Sequence, residues 1–168
     1  MKNILENYSK FKNYEKLIIL SGFFGLTPFI VGLIDTWFNY PNLLFTINLT
    51  KNYGVIILTF LGSVYWGIIL ESEKTTNYSS RLKIFTLIWS ITPALFGIII
   101  LSLEQNFSII ILSIGFLVSQ LIDEIYKDIL FFPKWYIYLR RTLSFIVIVV
   151  LIFSYLITLI ILRLRLFK

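Results

Sequence analysis

The chain has 168 residues, of which 58% are hydrophobic and 14% charged, and its mean hydropathy is +0.85. Soluble domains are about 45–50% apolar and about 25% charged, and a chain this short could not hide so much apolar surface in one core. The composition therefore excludes a soluble enzyme, a disordered chain and a disulfide-stapled secreted domain. The net charge of +6 comes from 15 Lys and Arg against 9 Asp and Glu. These cations sit beside apolar segments, where orientation signals and anionic lipid headgroups account for them without nucleic acid.

The chain contains no Cys and no His, and its one Met is Met1. It therefore lacks a thiolate nucleophile, a thiolate metal site, the usual haem ligand and the usual neutral-pH general base. The expectation is a protein that ligates no cofactor or metal of its own and performs no catalysis.

An α-helix crosses a ~30 Å hydrocarbon core in about 20 residues, and five segments qualify. They run over about 17–36, 53–70, 82–103, 107–122 and 142–162. Charges bracket them: Lys16 and Asp35, Lys51 and Glu71, Lys83 and Glu104, Asp123, then Arg141 and Arg163. Strands are a poor alternative because runs such as Val147–Ile152 are continuously apolar, whereas a membrane barrel alternates polar and apolar residues. Residues 123–132 suggest a short amphipathic helix lying at the interface and ended by Pro133. The expected fold is a single all-α membrane domain over 1–168, a bundle of five transmembrane helices. The polar start, with Lys2, Lys10, Lys12 and Lys16, reads as the flank of a retained anchor rather than a cleaved signal.

Orientation follows from Lys and Arg. The N-terminal segment, the second-to-third connection and the fourth-to-fifth connection share one face and carry eleven; the opposite face carries four. The expected N-terminus is inside and the C-terminus outside, against the rule only in the basic tail of Arg163, Arg165 and Lys168. Trp37, Phe38, Tyr40 and Tyr53 then flank the outer ends of the first two helices. Phe131, Phe132, Trp135, Tyr136 and Tyr138 flank the inner end of the fifth, as headgroup-seeking rings do.

Small residues recur four apart, at Ser21/Gly25, Ser63/Gly67, Ser90/Ala94 and Gly115/Ser119. With Gly62 and Gly97 they allow four of the helices to approach closely. Pro28 and Pro93, each preceded by Thr, sit midway along the first and third segments. They read either as fixed kinks or as hinges around a transport site. Tyr65 and Trp66 lie within the second segment, where the Tyr65 hydroxyl needs a partner. Gln120, Asp123 and Glu124 lie at the inner end of the fourth, where water and Arg140 or Arg141 would satisfy them. Lys134, Trp135, Tyr136, Arg140 and Arg141 form a basic aromatic edge suited to lipid headgroups or a partner.

GFFGLTPF at 22–29, YGVIILTFLGSVYWG at 53–67, WSITPALFG at 89–97 and the block from Gln120 to Arg140 occur in a fixed order. Together they resemble a domain-of-unknown-function family of proteobacteria with a mitochondrial relative, transmembrane protein 69. That family often carries His-Trp-Gly where this chain has Tyr65-Trp66-Gly67. The resemblance implies a bacterial cytoplasmic or mitochondrial inner membrane and no established activity. The functional expectation is a non-catalytic accessory or assembly subunit of a larger inner-membrane complex, a respiratory one first, with other membrane subunits and anionic lipids as partners. The alternative is a small oligomeric transporter or channel.

Overall fold

The computed structural model describes residues 12–38, 43–75 and 78–166. Lys2, Lys10, Tyr40 and Lys168, to which the sequence assigns orientation or interfacial roles, lie outside them. The described residues form six helices and no strands: α1 (Asn13–Phe24), α2 (Thr27–Phe38), α3 (Leu43–Thr75), α4 (Ser80–Ser102), α5 (Gln105–Tyr126) and α6 (Lys134–Leu166). With α1 and α2 counted as one broken span, five helices are long and apolar enough to cross a membrane. Up-and-down connections put the start of α1 and α6 with the ends of α3 and α5 at one end of the bundle, here the Arg140 end. The ends of α2 and α4 lie at the other, the Asp35 end.

The first expected span is not continuous. Pro28 has no N–H to offer the carbonyl of Phe24, and its ring crowds that carbonyl. The chain responds with a tighter step, the Leu26 N–H donating to Phe23 O at 3.0 Å. Helical bonding resumes when the Ile30 N–H reaches Leu26 O at 3.1 Å. Pro28 therefore stands in the first turn of α2, where a missing donor costs little, rather than midway along a helix.

The second and fifth spans are longer than hydropathy suggests. α3 and α6 have 33 residues each, about 50 Å at 1.5 Å per residue. α3 begins ten residues before Tyr53 because Thr46, Thr50 and Lys51 are buried against the bundle rather than left in a loop. α6 begins directly after Pro133 and takes in Arg140 and Arg141. The interfacial helix expected over 123–132 does not form: Asp123 to Tyr126 complete α5, and a turn follows in which Phe131 adopts φ 53°. Burial of Asp123 against α6 carries α5 past the first charged residue.

α3 packs most extensively on α4, α5 on α6, and α2 on both α3 and α6, whereas α1 rests mainly on α6. The core runs along the axis through Phe29, Leu58, Ile100, Leu112, Phe116 and Leu151. Phe29 meets Tyr53 and Phe116 edge-on, with centroids 5.2 and 6.1 Å apart. Large apolar side chains such as Ile56, Phe60, Ile98, Ile99, Phe145 and Phe153 face outward, as they do where the solvent is lipid.

Glycines set the closest approaches. A Cβ on Gly62 would meet Pro93 and the Ser90 carbonyl at 2.8 Å; on Gly97, Val55 at 2.6 Å; on Gly115, Leu58 at 2.9 Å. These three positions serve as the spacing suggests. The Ser63/Gly67 pair does not: Ser63 is exposed and nothing lies within 4 Å of the Gly67 position. Gly22 against Leu143, Gly32 against Thr50 and Gly54 against Leu112 are equally tight, and none of them belongs to the four pairs read from the sequence.

Candidate functional site: a buried ion-pair cluster

The most concentrated chemistry lies at the Arg140 end. α5 brings Ser119 and Asp123 onto one face, since residues four apart share a side of a helix. α6 faces them with Arg140, and α3 contributes Tyr65. Tyr65, Asp123 and Arg140 are 1%, 2% and 5% exposed. The Tyr65 hydroxyl donates to Asp123 Oδ1 at 2.7 Å. Arg140 donates to Asp123 Oδ2 from Nε at 2.8 Å and from Nη2 at 2.5 Å, and Nη2 also reaches Ser119 Oγ at 3.2 Å. Three helices thus converge on one carboxylate. Arg140 is consequently buried rather than set on an open edge as the sequence suggests, and water does not bathe Asp123. A charge taken out of water is tolerated only when paired and hydrogen-bonded, and here both conditions hold.

Rings enclose the cluster. Tyr65 packs edge-on against Trp89 and Phe132, with centroids 6.5 and 5.9 Å away, and Phe132 stacks on Tyr136 at 5.4 Å. Trp89 Nε1 and both amide atoms of Gln120 are buried without a hydrogen-bond partner among the described residues.

A second, wetter layer lies beside it. Arg141 forms two 2.8 Å bonds to the Glu124 carboxylate, and Lys127 reaches the same group at 2.6 Å. Lys127, in the turn after α5, has its ammonium held above the ordinary value, chiefly by that hydrogen bond to Glu124. Half-exposed pairs of this kind contribute little to stability. Lys134 is exposed, and Trp135 and Tyr136 are half-buried.

The other sequence candidates disperse. Ser21 is exposed on α1. Gly25 offers its carbonyl to the Tyr53 hydroxyl at 2.9 Å. Thr92 donates to Ile88 O at 2.8 Å, one residue short of the carbonyl that Pro93 leaves without a donor. Ser90 is buried, its carbonyl against Gly62 of α3, and Ala94 is half-buried along α4. Trp66, next to Tyr65, points the opposite way and is 53% exposed.

Sequence reasoning did not single out the Asp35 end as a site. There Thr46 donates to the Asp35 carboxylate, Thr36 donates to Gly32 O at 2.7 Å and Thr158 to Ser154 O at 2.8 Å. A cavity of about 10 Å³ lies among Thr36, Thr50, Ser154 and Thr158. Ser154 Oγ is buried there without a partner among the described residues. The volume is that of about one water. Among the described residues no three His, Cys, Asp or Glu side chains gather as a metal set.

Comparison with known proteins gives one family. The model of DUF3429, a protein family of unknown function, matches residues 14–156. No curated protein and no solved structure matches the chain.

Proposed function

We propose that this protein, which belongs to the DUF3429 family, is a non-catalytic accessory or assembly subunit of a larger membrane complex. A respiratory complex is the first candidate. The observation that supports this most is the outward face of α3. Ser63, Trp66 and Gly67 project away from the bundle, and nothing stands against Gly67. Lipid chains gain nothing from a bare glycine, whereas small residues four apart let another helix bring its backbone close. The exposed Trp66 adds the large, rigid contact area that interfaces favour.

The buried charges support the same reading, because Asp123 and Arg140 are committed to each other in a 2.5 Å pair. Pro93 packs against Gly62 and Pro28 opens α2; these are placements that shape a bundle rather than hinge a gate, and they favour assembly over transport. The excess of Lys and Arg leads us to put the Arg140 end in the bacterial cytoplasm or the mitochondrial matrix, with the end of α6 outside. Kinship with transmembrane protein 69 and an inner-membrane address belong to this reading.

Gly67→Leu tests it. The added side chain meets no neighbour in the bundle, so the isolated variant should melt like the wild type. In mild detergent the wild type should run on native gels in a high-mass band that the variant leaves. A wild-type chain that extracts as a stable monomer would contradict the reading.

A further inference from the structure

A groove of about 380 Å³ opens between α1, α3 and α6. Its walls are apolar along most of their length, from the exposed Leu17 and Phe60 to the buried Phe29, Phe116 and Val147. Toward the start of α6 it is polar: Tyr136 and Arg140 line it there, with Ser144 one turn further along. The volume falls within the range of ligand clefts, about 300–1,000 Å³. From Tyr136 to Val147 α6 rises about 16 Å at 1.5 Å per residue. One leaflet of a ~30 Å hydrocarbon core is about 15 Å deep. The groove therefore has the length of one acyl chain, with its polar end at headgroup depth.

The polar end selects the headgroup. Arg140 uses Nε and Nη2 for Asp123 and Ser119, and its third nitrogen, Nη1, carries none of those bonds. A guanidinium nitrogen can only donate, so the complementary group is an acceptor, and a phosphate is the acceptor that planar guanidinium suits best. Lys134, exposed at the start of α6 two residues before Tyr136, adds positive charge at the same level.

We propose that this groove holds one chain of an anionic phospholipid, its phosphate bound by Arg140 and Tyr136. Gly25 and Leu26, where α1 breaks from α2, set the angle of the wall that α1 supplies. A Cβ at Gly22 would meet Leu143 at 2.8 Å, so that wall is held against α6 at one close contact. The proposal does not rest on the assembly reading, because an isolated monomer carries the groove as well.

The test is native mass spectrometry of the purified full chain, delipidated and offered phosphatidylglycerol and phosphatidylcholine with the same acyl chains. One phosphatidylglycerol adduct should persist with about tenfold stronger retention than phosphatidylcholine. Ser21→Trp fills the groove from an exposed position on its wall and should abolish that adduct without lowering the melting temperature. Tyr136→Phe leaves the Asp123–Arg140 pair intact and should lower the preference about threefold, the share of one hydrogen bond. Equal retention of the two lipids, or a phosphatidylglycerol adduct unchanged in both variants, would overturn the proposal. So would displacement of the lipid by a neutral isoprenoid quinone.

Discussion

At the Arg140 end, a carboxylate on α5 is held by a guanidinium on α6 and a phenol on α3, all within 2.8 Å. At the Asp35 end, two buried hydroxyls turn back on their own helix, Thr36 to Gly32 and Thr158 to Ser154. Both arrangements satisfy polar atoms in a medium without water. Only the first joins three helices on one buried carboxylate; at the second, the bond from Thr46 on α3 to Asp35 on α2 joins two. A back-bonded hydroxyl removes its own desolvation cost and adds little between elements. A buried ion pair costs several kcal/mol per ion to desolvate and recovers that only when both partners are in place. The contrast assigns the larger share of tertiary specification to the Arg140 end and more of the local satisfaction to the Asp35 end.

The largest expected effect comes from removing one member of the pair. Asp123→Asn or Arg140→Gln should lower stability in detergent by about 3–5 kcal/mol, read by denaturant-induced loss of helical circular dichroism. A loss under ~1 kcal/mol would erase the distinction between the ends. Next comes Gly62→Leu, which forces a side chain into Pro93 and a backbone carbonyl. It should cost about 1–3 kcal/mol in the same assay, whereas Gly67→Leu, five residues along the same helix, should cost nothing measurable. The smallest effect should come from Thr36→Val, which keeps the shape and loses a bond to its own helix. A shift within about 0.5 kcal/mol is expected, and a loss comparable to that of the pair variants would show that the Asp35 end also specifies the fold.

Hydropathy made the number of spans legible, since twenty apolar residues have few alternatives in lipid. It misplaced their ends for a physical reason: polar residues that find partners inside the bundle extend a helix past the apolar window. Asp123 does this for α5, Arg140 and Arg141 for α6, and Thr46 and Thr50 for α3. The need of Tyr65 for a partner was readable, as was the pairing of Asp123 and Glu124 with Arg140 and Arg141. That Asp123 and Arg140 would be dry was not. Sequence places them near the ends of their spans, and only the packing of α3 and of Phe132 over them excludes water. Small-residue spacing gave Gly62, Gly97 and Gly115 their contacts and failed at Gly67, because spacing fixes which residues share a face and not whether that face meets a neighbour.

The most direct test is a double-mutant cycle at the buried pair. Asp123→Leu and Arg140→Met are each made alone and then together, with unfolding measured in one detergent. If each charge is tolerated in the bundle because of the other, each single variant strands an ion and the double variant strands none. Its stability should return to within about 1 kcal/mol of the wild type. A double variant whose loss equals the sum of the two singles would show the side chains acting independently, and the clasp would not exist.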